Sequence, residues 1–289
     1  MQTVTTTVAG LGMREYTGGS GDPLVMLHHS FGNPGWMPVH EALAAHYTVH
    51  ALDLPGYGGP EGSDRPDWAR HPRDLALLVG QWLRAKDLGP VELVGCGFGG
   101  WVAAELATMA PELLKRLVLV GAAGLLPENG RIYDQFLVSH SNYVEAAFSS
   151  TEAFESIFHS NGDNPDEHPL GDDTLLVWDM NREMTTRVGW KPYMYNRRLR
   201  PLLGGVTVPA LVVWGDNDAV VPLECAHAYV EALPDARLEI VPDCGHAVDL
   251  EAPESLAAII TGDTGSLAAI ITGDTGSSVG TAQITGGNS

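Results

Sequence analysis

Six short stretches of the chain are dense in apolar residues: Leu24–Leu27, Val49–Leu54, Val91–Val94, Leu117–Val120, Leu211–Trp214 and Leu238–Val241. Runs of this length, bounded by Gly, Pro and polar residues, predict strands buried on both faces, as in a parallel sheet covered by helices. Between them the apolar spacing becomes helical. In Pro72–Ala85 the apolar positions are Leu75, Leu77, Leu78, Trp82 and Leu83. Pro72 suits a first helical position, which puts the start at His71 or as early as Asp67, and Gly89-Pro90 ends the element. The alternation breaks after Gly124 and resumes at Val208-Pro209. A capping box, Ser149-x-x-Glu152, predicts a helix over Thr151–His159, and Val177, Met180, Met184 and Val188 recur at helical spacing, with a loop around Asn161–Gly171. The expected organisation is an α/β core of residues 1–124 and 204–261, with a mostly parallel doubly wound sheet, and a helical cap of residues 125–203 inserted into it.

The C-terminal end has a different character. Ser255–Gly265 (SLAAIITGDTG) recurs unchanged as Ser266–Gly276, and Ser277–Ser289 is rich in Gly, Thr and Ser. Two copies are too few for a solenoid, so Pro253–Ile260 is expected to be the last core helix and residues 262–289 a tail outside the core.

Composition narrows the partners. The 289 residues carry a formal charge of −20, which repels phosphate backbones and anionic lipid surfaces and leaves a small neutral or apolar molecule as the expected ligand, with no nucleic-acid or membrane partner. The order of the first residues lacks a basic stretch followed by an apolar core, and no run is long enough to span a bilayer, so a cytoplasmic protein is expected. Cys96, Cys225 and Cys244 have neither an even count nor metal-ligand spacing, which predicts reduced buried thiols and no structural metal. Nothing in the sequence calls for a cofactor or fixes an oligomeric state.

The chemistry concentrates at strand ends. Gly95-Cys96-Gly97-Phe98-Gly99 joins an apolar strand to an amphipathic helix and has the frame of G-x-S-x-G, in which a serine sits at the tip of a sharp turn. Here the tip is Gly97. Downstream, Trp214-Gly215-Asp216-Asn217-Asp218 follows one buried strand and Asp243-Cys244-Gly245-His246 follows the next. A carboxylate bonded to one imidazole nitrogen fixes the tautomer and stabilises the imidazolium when the other nitrogen takes a proton.

From roughly Leu24 to Ile260 the chain resembles the α/β-hydrolase fold family, which carries turn, acid and histidine in this order. The resemblance implies that Asp218 is the acid, with Asp216 as rival, that His246 is the base, and that Gly97 leaves the nucleophile position empty. It places an oxyanion loop at His28-His29-Ser30-Phe31-Gly32, with the backbone N–H groups of Ser30 and Phe98 as donors, and it departs at His29, where the family usually has glycine. Asp53-Leu54-Pro55-Gly56-Tyr57-Gly58 matches a structural turn of the family. Cys96 precedes the tip by one residue, so strand alternation points its sulfur away from His246. His29, Phe31, Trp190, Tyr193 and Tyr195 are the expected substrate-binding residues, the last three from an aromatic cap segment that serves equally well to glue cap to core.

Without the serine an acyl-enzyme route is closed, because losing the nucleophile costs on the order of a millionfold in turnover. Three readings remain open: an enzyme in which His246 acts directly on water or substrate; a serine hydrolase whose serine has been exchanged for glycine by design; and a non-catalytic binder or receptor on a hydrolase scaffold. The matched acid and base favour an enzyme acting on a small, mainly apolar substrate.

Overall fold

The computed structural model describes residues 1–158 and 172–262. The second repeat copy, the tail to Ser289 and the loop expected around Asn161–Gly171 lie outside them, as does His159 at the end of its expected helix.

Eight strands form one sheet: β1 (Gln2–Val8), β2 (Leu11–Gly19), β3 (Pro23–Leu27), β4 (Thr48–Leu52), β5 (Val91–Cys96), β6 (Leu114–Val120), β7 (Ala210–Gly215) and β8 (Ala236–Val241). Their spatial order is β1-β2-β4-β3-β5-β6-β7-β8. From β4 to β8 neighbouring strands are parallel, while β1 pairs with β2, and β2 with β4, antiparallel. All six expected strands are present. β1 and β2 were not expected: Gln2–Val8 is threonine-rich and largely exposed, so it lacks the apolar density that marks the central strands.

Helices α1 (Pro38–Ala44), α2 (Pro72–Lys86), α3 (Phe98–Met109), α8 (Glu224–Ala232), α9 (Val248–Glu251) and α10 (Pro253–Thr261) accompany the sheet, and α4 (His140–Glu145), α5 (Thr151–Phe158), α6 (Asp172–Gly189) and α7 (Leu199–Leu203) lie between β6 and β7 in the chain, in the interval expected to form the cap. The sheet divides the core in two. Trp82, Trp101 and Trp214 are fully buried on one side, and Leu24, Val94 and Val118 on the other. Burying a large aromatic side chain stabilises a fold by roughly 1.5–3 kcal/mol, so the α2–α3 layer, which holds two of the three tryptophans, is a major source of stability.

Local signals are mostly obeyed. His71 caps α2 by accepting from the Arg73 N–H at 3.1 Å, directly before Pro72. The cap of α5 shifts by one residue: Ser150 Oγ accepts from Ala153 N at 3.2 Å, while the Ser149 hydroxyl donates to Glu251 instead. No helix among the described residues is long and apolar enough to cross a membrane.

Candidate functional site

The parallel strands all end at one edge, and the loops leaving that edge bring the candidate residues together. The turn from β5 into α3 is built by close backbone approach. A Cβ at Gly95 would lie 2.6 Å from the Gly99 carbonyl oxygen, and one at Gly99 would lie 2.5 Å from that of His28. Gly97 itself has φ 51° and ψ −111°, a conformation that strains any residue with a side chain.

His246, on the loop after β8, stands directly over Gly97, its Nε2 2.8 Å from the point a Cβ there would occupy. Its Nδ1 donates to Asp218 Oδ2 at 2.8 Å, and both side chains are almost fully buried. The other oxygen of Asp218 accepts from the N–H groups of Val220 and Val221, each at 2.8 Å, which fixes the carboxylate. Asp216 is exposed and bonds to Cys244 N at 3.3 Å, so it is not the partner of His246. With Nδ1–H committed to Asp218, Nε2 of His246 carries a free lone pair pointing at the turn.

His29 completes the group. Its ring stacks on Phe31 at 4.9 Å and meets His246 edge-on at the same separation, with Nε2 donating to Asp249 Oδ1 at 2.7 Å. Burial opposes ionisation of Asp249, yet the adjoining His29 imidazole holds its carboxyl below the usual range. Ser30 Oγ donates to the Tyr143 hydroxyl at 3.0 Å rather than to its own loop, and burial pushes the Tyr143 phenol up to about 12. Phe98 is the first residue of α3, where a backbone N–H has no acceptor within the helix.

The loop carrying these residues is held by α6. Asn181 Nδ2 donates to the Phe31 carbonyl at 2.7 Å while its Oδ1 accepts from Gly58 N at 3.0 Å, and Thr185 Oγ1 bonds to the Tyr57 hydroxyl at 2.8 Å. His28 ties the same loop to the next, donating to the His29 carbonyl and accepting from Leu54 N, and burial lowers its pKa to about 4. Asp249, Asn181 and Thr185 escaped the sequence reading. The one signal was that Asn181 and Thr185 stand four apart on the inward face of an amphipathic helix, where apolar residues would be expected.

The aromatic cap segment lies elsewhere. Trp190 is 52% exposed against Phe136, the Tyr193 hydroxyl donates to the Tyr133 carbonyl at 2.6 Å, and Tyr195 bridges to Gly124. The contact of Tyr195 with Gly124 matches the second role the sequence allowed, holding this segment to the core, and Trp190, Tyr193 and Tyr195 do not line the cleft of about 410 Å³ beside Phe31. That cleft runs past Phe31, Met37, Ile157, Phe158, Val177 and Trp178, with Arg14 and Asp173 at polar points. Phe31, which stacks on His29, lines this cleft.

Cys96 belongs to the opposite core layer with Val94 and Val118, and burial pushes its thiol well up, which keeps it protonated. Among the described residues, His29, Cys96 and Asp249 are the one set of three metal-capable side chains whose ligating atoms come within 4.8 Å of one another. His29 and Asp249 already share a hydrogen bond there, and ligands of a single ion stand farther apart and share no proton.

The alpha/beta hydrolase fold family model matches residues 23–253. The chain belongs to that family. A curated relative, the dihydrolipoyllysine-residue acetyltransferase component of an acetoin cleaving system from Pseudomonas putida, is 30% identical over 84% of this chain, which spans 63% of that protein. The 2-hydroxy-6-oxo-6-(2'-aminophenyl)hexa-2,4-dienoic acid hydrolase of Metapseudomonas resinovorans is 28% identical over 86% of each chain. Among solved structures, a serine hydrolase involved in carbazole degradation superposes with a TM-score of 0.69, covering 92% of this chain and 98% of its own at 23% identity, a likeness of fold.

Proposed function

We propose that this member of the α/β-hydrolase family is a hydrolase of small, mainly apolar acyl compounds, in which the His246–Asp218 pair activates water above Gly97 in place of a serine. One observation carries the reading: His246 Nε2 lies 2.8 Å from the Cβ position of Gly97 while its Nδ1 is held 2.8 Å from Asp218. A base so oriented takes a proton from water as the oxygen attacks, Asp218 stabilises the imidazolium, and the proton then goes to the leaving group. The backbone N–H groups of Ser30 and Phe98 are the donors for the developing oxyanion. The apolar walls of the cleft beside Phe31 suit a hydrocarbon substituent, and the similarity to a named hydrolase supports hydrolysis as the reaction class.

General-base assistance contributes roughly 10²–10⁴ in rate, less than a full nucleophilic triad, so the substrate has a good leaving group. His246→Ala is expected to lower kcat/KM on p-nitrophenyl butyrate by about that factor and Asp218→Asn by tenfold or more, with unchanged far-UV circular dichroism. Undiminished turnover in His246→Ala would overturn the reading.

A further inference from the structure

A second histidine–carboxylate pair faces the first across Gly97. His29 Nε2 is committed to Asp249, so its Nδ1 presents a bare lone pair, and that nitrogen is buried without a hydrogen-bond partner on a residue 1% exposed. Buried polar atoms are nearly always satisfied, so this one asks for a donor the protein does not supply. It lies 2.5 Å from the point where a Cβ at Gly97 would stand, the point that His246 Nε2 also approaches. Two acceptors this close to one point suit a molecule with two O–H bonds that bridges them just beyond it, clear of the Gly97 Cα.

Resting on the hydrolase reading, we propose that His29, positioned by Asp249, is a second catalytic base, and that the nucleophile is a water donating one O–H to His29 Nδ1 and the other to His246 Nε2. As the water oxygen bonds to the acyl carbon, its proton on the His246 side passes to Nε2. That proton goes to the leaving group when the carbon–leaving-group bond breaks. The remaining proton, now on a carboxylic acid, passes to His29 Nδ1, and His29 returns it to solvent. One water and one acyl compound thus give a carboxylate, the protonated leaving group and one proton. The carboxylate product is formed beside Asp218 and Asp249, whose charges repel it and favour its departure. Asp249 acts through His29 by fixing the tautomer, as Asp218 does for His246.

Among the described residues, the titratable groups facing His29 are Asp249 on α9, His246 on the loop before it, Cys96 on β5, and His28 beside it in the chain, with His40 on α1 near Asp249. The test uses the full chain with p-nitrophenyl butyrate. His29→Gln is expected to lower kcat/KM about 100-fold and to remove one ionisation from the pH–rate profile. Asp249→Asn, which keeps the imidazole, is expected to lower it about tenfold and covers the case in which His29→Gln fails to fold. If both variants fold and keep kcat/KM within twofold of the parent with the same pH profile, His29 only packs, and the proposal falls while an inactive His246→Ala leaves the hydrolase reading standing. Full activity in His246→Ala would sink that reading itself.

Discussion

Gly97 and His29 behave as one exchange. The family resemblance places a serine at the first position and a glycine at the second, and here the imidazole of His29 takes up the space that a side chain at 97 would need, 2.5 Å from its Cβ. Serine alone at 97 therefore collides with His29 Nδ1 and with His246. Gly97→Ser is expected to give no acyl-enzyme. Gly97→Ser combined with His29→Gly opens the space and is expected to produce a burst of p-nitrophenol approaching one per site from p-nitrophenyl acetate. Stopped-flow absorbance reads both, and a full burst from the single variant would show that the two positions are independent. Asp218 and His246 were legible because each follows a buried strand within a short motif. Asp249 was not, because its partner His29 lies 220 residues away and no local spacing records that contact.

Secondary structure was most legible where burial is two-sided. The central strands β3 to β7 are apolar along most of their length and stand out in the sequence, whereas β1 is an edge strand and β2 its antiparallel neighbour, both carrying exposed or half-buried polar residues. The expected stripe on α6 was only partly right. Met184 and Val188 are buried as expected, but Met180 is 37% exposed, and the inward positions beside it are taken by Trp178, Asn181 and Thr185. A polar side chain on an inward face is invisible to a hydrophobic pattern, yet it is what ties the cap to the loop bearing Ser30 and Phe31. The segment from Trp190 to Asn196 left two roles open for a related reason: aromatic density marks burial against something without saying what, and here the partners are Phe136, Tyr133 and Gln135 together with Gly124 and Glu105.

The whole molecule keeps several histidines in its interior. Burial lowers the pKa of His28, His40 and His140 to about 4 from 6.5. The unfolded chain therefore binds protons that the folded chain does not between those values, so the stability these groups contribute is complete above pH 6.5 and is lost as pH falls toward 4. At 1.36 kcal/mol per unit, each imidazole accounts for on the order of 3 kcal/mol of acid destabilisation. His140 has no partner for either ring nitrogen among the described residues and packs on Tyr143 and Trp178. His140→Phe is expected to keep stability at pH 7 and to flatten its fall between pH 6.5 and 4.5 in urea titrations; an unchanged slope would contradict the assignment. The central claim, that water rather than a side chain attacks the acyl carbon, is tested most directly by pre-steady-state hydrolysis of p-nitrophenyl acetate followed by absorbance and by intact-protein mass. The account predicts p-nitrophenol release that is linear from the first turnover and a protein mass that never changes, whereas a burst stoichiometric with enzyme together with an acetylated protein would contradict it.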